Sequence, residues 1–475
     1  MTETSIKNTS KDWPTVFIIF GATGDLMSKK IVPALYLLYR EKQLPNLFSV
    51  IGSARSNLTN IEFRDNIKKI LLEKKLFIEG QDDEFLSLFE YQKAEFSNPE
   101  DYSLLAKKLG RIDGVWSSCS NKLFYIAVPP QNYELLFNQI SASKLSEPCG
   151  PDEGWTRVIV EKPFGDDYET AIKLEQLLWK LFDEDQIYRI DHYLAKGMLQ
   201  NILVFRFANN LLENSWNGQN IESIEINFLE TIGAEERGSF YDKVGALKDI
   251  GQNHVLQLLA LITMENPISF DDKSVRKSRA QILNYLPKLT DDDIRQDTKR
   301  YQYKGYENIE GVSKGSDTET YFELNFKLTH PRWKDVNIKA RGGKRVKEAR
   351  KEVIITFKHL ESSLKIPGSE DAKNKIIFRV EPNREIVIEF WSKKPGLEMQ
   401  IQKVDFNFTY KKNDATILYT NEYKKLLYDC MNGNELLFVS STEIEESWKF
   451  IDPIVKAWKN NLVPLQEYEP DTTPE

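Results

Sequence analysis

The segment Thr15–Phe20 (TVFIIF) is a run of apolar and β-branched residues that stops at Gly21 and leads into helical spacing at 28–40. Such a run, bounded by glycine, reads as a strand buried on both faces, and strands of that kind belong in parallel sheets covered by helices. The same texture recurs. Residues 48–53 (FSVIGS), 122–128 (KLFYIAV) and 157–160 (RVIV) read as further strands, and 61–74 as a second helix. Strands alternating with helices predict βαβ units as far as about Asp191.

Beyond about Ser215 the pattern changes. The segments 223–228, 321–328, 352–358, 375–380, 385–391 and 401–408 alternate in polarity, and long helical connections between them look scarce. This predicts a large, mainly antiparallel sheet covered on one face. The expected fold class is an α/β dinucleotide-binding domain followed by a C-terminal α+β domain. The boundary falls near 180–200, dividing the chain into 1–190 and 191–475.

Bulk properties narrow the function. The 475 residues carry a net charge of -8, which argues against a surface built to hold nucleic acid or an anionic membrane. The polar first dozen residues contain no apolar signal core, and no apolar run is long enough to span a membrane. The three cysteines, Cys119, Cys149 and Cys430, form no CxxC pair and no metal-ligand spacing. The expectation is a cytoplasmic chain with no metal.

The turn Gly21-Ala22-Thr23-Gly24-Asp25-Leu26 follows the first strand and opens the first helix, where a backbone can approach a pyrophosphate. A tight turn with no ligand would also explain it. Arg55, at the end of the second strand, stands where a dinucleotide fold meets the adenosine ribose, and an arginine there suits a 2'-phosphate. The alternative is a solvated surface arginine. The segment 125–130 (YIAVPP) ends a strand in a stiff turn that would wall a crevice.

Three segments carry candidate chemistry. Lys162, in Glu161-Lys162-Pro163-Phe164-Gly165, follows a strand and would point into the crevice. In Arg189-Ile190-Asp191-His192-Tyr193-Leu194-Ala195-Lys196, His192 and Lys196 are four apart and would share a helical face able to grip a dianionic phosphate. The stretch 245–254 reads as a buried helix carrying Asp249, Asn253 and His254. A satisfied core histidine is one reading of His254. A base titrating near neutrality, as alcohol oxidation needs, is the other.

Together these segments resemble the glucose-6-phosphate dehydrogenase family: GATGDL at 21–26, EKPFG at 161–165, RIDHYLAKGMLQN at 189–201, DKVGALKDIGQNH at 242–254, ARGGK at 340–344, and the late segments MNGNELLF and EIEESWKFIDPIVKAW. The resemblance implies oxidation of glucose 6-phosphate to a lactone with hydride transfer to NADP+, NAD being possible as a secondary cofactor. That is the first step of the oxidative pentose phosphate pathway. It implies His254 as the base with Asp191 as its partner, and His192, Tyr193 and Lys196 on the 6-phosphate. Lys162 would touch both sugar and cofactor, Glu230 and Asp249 the sugar hydroxyls, and Lys344 the substrate. Gly21, Ala22, Thr23, Gly24, Asp25, Leu26 and Arg55 would hold NADP. A homodimer or homotetramer through the large sheet is implied too. A non-catalytic NADP-binding sensor of the same fold is the rival.

The chain departs from the family pattern in places. Met27 replaces a small residue, Glu236 and Ser239 replace small residues or glycine, and Ser440 replaces an arginine. Lys248 and Ile250 differ, and Gly251 precedes Gln-Asn-His, where a mid-helix glycine costs about 1 kcal/mol. Ala349 stands five residues after Lys344, where the family often has a second basic residue, leaving Arg350 or Lys347 to substitute.

Overall fold

The computed structural model describes residues 13–80, 82–150, 153–359, 372–409 and 422–474. The polar first dozen residues lie outside this range. The first sheet is built from β1 (Thr15–Phe20), β2 (Phe48–Ala54), β3 (Phe89–Lys93), β4 (Asn121–Ile126), β5 (Thr156–Glu161) and β6 (Ile187–Ile190). All six run parallel in the order 3-2-1-4-5-6. That order reverses between β1 and β4, and ligands of open parallel sheets bind beyond the strand ends at such a reversal. Every residue of β1 is buried, as its unbroken apolar run requires.

The second sheet contains β7 (Ile221–Leu229), β8 (Thr298–Tyr303), β9 (Tyr321–Phe326), β10 (Asn337–Gly343), β11 (Arg350–Phe357), β12 (Lys375–Glu381), β13 (Glu385–Lys393) and β14 (Ile401–Thr409). The two-residue β15 (Phe438–Val439) returns to the first sheet, antiparallel to β6, and β16 (Leu465–Tyr468) closes the second sheet beside β8. The nine strands of the second sheet are mainly antiparallel, with β7–β10 and β8–β16 as its parallel pairs.

Two expectations need correction. Helical connections are not scarce: five helical segments, between residues 238 and 297, separate β7 from β8. Of these, Leu247–Val255 packs on β7 and β10, and Asp291–Asp297 on β8 and β9. The helix expected at 28–40 begins with a π-helical turn, Met27–Ile31, in which Met27 and Ile31 are buried. Met27 thus fills core space at the first turn rather than crowding it.

The segment Leu247–Val255 is also π-helical and continues into the α-helix Leu256–Thr263, whose residues are all buried. Gly251 has a packing reason. A Cβ there would lie 2.8 Å from Leu247 Cδ1 and 3.2 Å from Phe322 Cζ, so the glycine lets this segment seat closely on β9. Its helical cost is offset by that contact.

Arg279 ties the C-terminal part of the chain to the first sheet. It is wholly buried, donates from Nε to Glu443 at 2.9 Å, and donates to the carbonyls of Leu436 at 2.6 Å and Phe438 at 2.7 Å. Glu443 also accepts from Ser440 N and Oγ, and Ser440 caps the helix Ser441–Lys459 in a reciprocal capping box. The serine found in place of the family arginine is therefore a helix cap.

Candidate active site

The sequence places its chemistry at strand ends. Gly21 follows β1, Arg55 follows β2, Lys162 follows β5 and Asp191 follows β6, all at the carboxyl edge of the parallel sheet. In the second sheet Glu230 follows β7 and Lys344 follows β10. Those two strands are parallel neighbours, so the two residues emerge side by side. The Lys162 Nζ lies 3.5 Å from Asp249 Oδ1, which links the two sets across the crevice.

His254 stands at the centre. Its Nδ1 is 2.6 Å from Asp191 Oδ1, and its Nε2 is 3.0 Å from Lys162 Nζ. Both dyad members are buried. With the proton on Nδ1 donated to the carboxylate, Nε2 keeps a lone pair facing the lysine. Burial lowers the His254 pKa, Asp191 pulls it back up, and Lys162 lowers it again; the net result is below the ordinary value. For Asp191, burial alone would raise the pKa, but His254 holds it well below the usual carboxylate range. The pair is therefore an aspartate and a neutral imidazole, the protonation state a general base requires.

The helical face expected for His192 and Lys196 does not exist. Residues 192–195 form turns, with Leu194 N donating to Asp191 O and Lys196 N to Tyr193 O, and the helix Gly197–Phe207 starts only after Lys196. The physical reason is Asp191, whose Oδ1 accepts from Tyr193 N at 2.9 Å and holds the chain in a local turn that competes with helix. The turn still gathers the side chains. The His192 ring centroid is 5.1 Å from that of His254, the Tyr193 ring 4.2 Å from His254, and Lys196 Nζ sits 4.7 Å over the Tyr193 ring. Burial and the neighbouring His254 push His192 down to about 2, so it reaches the site neutral.

Opposite the turn lies an ion-pair network. Lys344 Nζ is 2.8 Å from Glu230 Oε2. Burial would raise the Glu230 pKa, but Lys344 and Lys351 bring it to about 2. Asp249 is likewise lowered, burial being outweighed by Lys162 and Lys344. Lys196 pairs with Glu381 and lies 3.5 Å from Glu422. Lys351, Glu381 and Glu422 are absent from the sequence expectation. Neither Lys347 nor Arg350 joins this network. Both are exposed, and Arg350 pairs with Glu348 at 3.5 Å, whereas Lys351 reaches the network. Counting residues on strand β11 with period two from Val353 and Ile355, both buried, was the available signal.

Residues 18–201 match the family described as "Glucose-6-phosphate dehydrogenase, NAD binding domain", and 203–474 match "Glucose-6-phosphate dehydrogenase, C-terminal domain". The chain belongs to the glucose-6-phosphate dehydrogenase family. Among its relatives is the glucose-6-phosphate 1-dehydrogenase of Aggregatibacter actinomycetemcomitans, 37% identical with 96% of this chain and 93% of that protein covered. That of Kluyveromyces lactis is 36% identical, covering 94% and 90%. A solved structure, "Glucose-6-phosphate dehydrogenase in complex with its substrate glucose-6-phosphate", superposes with a TM-score of 0.87 at 33% identity, covering 98% of this chain and 97% of that one.

In this member of the glucose-6-phosphate dehydrogenase family the glycine turn at 21–26 is close-packed. Gly21 adopts φ +85°, and a Cβ there would lie 2.2 Å from Ala127 O, so the turn leans on the 125–130 segment with no room for a side chain. The amides of Gly21 and Ala22 donate to Ser53 O at 2.8 and 3.2 Å, and Gly24 N donates to Gly21 O at 3.0 Å. These residues shape the cradle; Thr23, Gly24 and Asp25 form its exposed lip, and Asp25 pairs with Lys29 at 2.7 Å. Arg55 is exposed and follows β2, the strand paired with β1. The turn fits a dinucleotide phosphate: its exposed lip stands at a helix start. The Asp191, His192 and His254 ligand atoms lie within 4.8 Å of one another, an arrangement accounted for by the dyad and its neighbouring turn. Among the described residues no helix is long and apolar enough to cross a membrane.

Proposed function

We propose that this chain oxidises D-glucose 6-phosphate to 6-phosphoglucono-1,5-lactone, with NADP+ as the preferred acceptor and NAD+ as a secondary one. The observation that carries the reading is the Asp191–His254 pair at 2.6 Å, its free-side Nε2 turned toward Lys162 in the crevice between the two sheets. A protein that only senses NADP has no use for a buried base held in its neutral form.

NADP+, when bound, supplies the acceptor for the hydride that leaves C1. The protein moves the proton. His254 Nε2 takes the proton of the C1 hydroxyl as the C1–O bond becomes a carbonyl, and the Asp191 carboxylate stabilises the resulting imidazolium. Lys162 vacates the Nε2 lone pair and turns to sugar and cofactor. Asp249 and Glu230 accept from sugar hydroxyls, and Lys344 orients Glu230. Lys196, Tyr193 and neutral His192 hold the 6-phosphate. Thr23, Gly24, Asp25 and Leu26 line the diphosphate cradle that Gly21 and Ala22 shape, and Arg55 meets the 2'-phosphate.

The chain works in the cytoplasm as a homodimer or homotetramer through the second sheet, in the division 1–190 and 191–475. Exposed Phe390 and Phe406 support this: the β13–β14 register puts them on one face, with ring centroids 5.5 Å apart. Light scattering of Phe406→Asp against the unaltered chain tests it, a fall in mass being expected.

The activity is tested by following the NADPH absorbance band with glucose 6-phosphate and NADP+, using NAD+ and unphosphorylated glucose as controls. Phosphate-dependent reduction of NADP+ is the expected result. No reduction by folded, NADP-bound protein would overturn the reading.

A further inference from the structure

We propose that Glu319 is a positioning residue for the oxidation: its carboxylate caps the segment that carries Asp249 and His254 and holds the base in its working place, an assignment that rests on the reading of His254 as the base. The need for such a cap begins at Gly245. There the chain breaks the helix Gly238–Ala246 with φ +75° and ψ 170°, and the π-helical segment Leu247–Val255 starts two residues on. A helix start leaves its first amides without partners inside the helix. Ala246, in the N-cap position, has no side-chain oxygen to meet them.

Glu319, just before β9, supplies the missing acceptors. Its Oε1 accepts from Leu247 N at 2.9 Å, and its carbonyl oxygen accepts from Ala246 N at 3.0 Å. A carboxylate at this place also meets the positive end of the helix. The fit is close. A Cβ on Gly245 would lie 2.4 Å from the same Oε1, so the glycine makes room for the carboxylate as well as for the turn. The next residue reaches the other wall of the site, Thr320 O accepting from Lys344 N at 3.0 Å. Phe322, on β9, packs where Gly251 leaves space. The entry into β9 therefore sets the start of the base segment, its middle and the Lys344 loop against one another.

The cap carries a charge that changes near neutrality. Burial raises the Glu319 carboxyl to about 7, against the Leu247 amide, its own amide, Lys248 and Arg300, which all lower it. The groups facing it are Lys248 on the base segment, Arg300 on β8, Tyr241 on the helix Gly238–Ala246 and Tyr306. Burial holds both tyrosines above their ordinary pKa, so they stay neutral where Glu319 titrates. The ionised carboxylate gives Leu247 N a charge-assisted bond that the acid form lacks. A shift at the start of the segment moves Asp249, its third residue, and His254, and a misplacement of about 1 Å can cost about 100-fold in rate. For stability the sign is opposite. The folded pKa lies above the ordinary 4.5, so ionising Glu319 costs folding free energy that grows between those two values and is fully present above about pH 7. Glu319 thus favours activity at the expense of stability.

The test is steady-state kinetics and thermal melting of the full-length enzyme with Glu319→Gln, which keeps the size and the acceptor and removes the charge. At about pH 8, kcat is expected to fall about 3- to 10-fold, the difference between a charge-assisted and a neutral hydrogen bond, while KM for NADP+ stays within about twofold. The ratio of the two kcat values should shrink toward one by about pH 6, where Glu319 is itself protonated. The melting temperature at about pH 8 should match or exceed that of the unaltered enzyme. A merely structural cap would lower the melting temperature and leave kcat per folded molecule unchanged. Equal kcat values at about pH 8, a kcat ratio that does not vary with pH, or a melting temperature that falls in step with kcat would overturn the assignment. Should Glu319→Gln fail to fold, the unaltered enzyme carries the test: its kcat must show a partial step near pH 7, above the His254 limb, and a profile without that step overturns the assignment equally. Absence of turnover in the unaltered enzyme would instead remove the reading of His254 as the base, and the role of Glu319 with it.

Discussion

His254 Nδ1 lies 2.6 Å from Asp191 Oδ1, and this one contact joins the end of the first parallel sheet to the helical layer over the second. Replacing His254 by asparagine keeps a polar side chain of similar size and removes the base. We expect kcat to fall by about 10²- to 10⁴-fold while NADP+ binding, read by fluorescence titration, is unchanged. Retained turnover would remove His254 from the chemistry.

The pH profile follows from the same geometry. The His254 pKa is lowered on balance, so the acidic limb of kcat/KM should lie below the ordinary histidine value of about 6.5. Asp191 raises that pKa, so Asp191→Asn should move the limb to lower pH and depress the plateau. Lys162 lowers it, so Lys162→Met should move the limb to higher pH. Measured limbs shifting the other way would contradict the assigned causes.

Arg55 is exposed where β2 ends, and in the proposed role its charge-assisted bond to a 2'-phosphate would be worth about 1.5–3 kcal/mol. Arg55→Ala should raise KM for NADP+ by about 10-fold or more and leave KM for NAD+ nearly unchanged. An equal effect on both cofactors would place the arginine elsewhere than on the 2'-phosphate.

Arg279→Met leaves Glu443 buried without its cation and frees the Leu436 and Phe438 carbonyls. Breaking a buried pair from one side costs about 3–5 kcal/mol. Denaturant titration should show a shift of that size, and a shift below about 1 kcal/mol would mean the knot does not anchor β15.

Gly251→Ala should lower stability and turnover together, because its Cβ meets Leu247 Cδ1 at 2.8 Å three residues before His254. Overpacking of this kind costs about 1–3 kcal/mol, more than the helical gain of about 1 kcal/mol. Thermal melts and kcat measured on one preparation check it.

Much of the site was legible because parallel strands deliver their chemistry at their ends. Gly21, Arg55 and Lys162 each follow an apolar run, so finding the run locates the residue, whereas Asp191 follows β6, whose four residues IYRI include Arg189 and make no apolar run. His192 and Lys196 do come together, but through a turn held by Asp191, about which an i,i+4 spacing says nothing. Of the helices between β7 and β8, the buried one around His254 is legible in its apolar run, whereas Asp272–Leu283 and Asp291–Asp297 carry no such run.

The sequence by itself determined β1, β2, β4 and β5 of the parallel sheet, the glycine turn and the strand-end positions of Arg55 and Lys162. These follow from local periodicity and from the short reach of a turn. Only the tertiary structure decided the 2.6 Å approach of His254 to Asp191, the register that sets Lys351 against Glu230 and Glu381, and the return of Phe438 and Val439 to the first sheet. Those outcomes turn on register and packing between distant segments. A one-residue slip or a single bulge moves a side chain to the opposite face, and nothing local in the sequence records it.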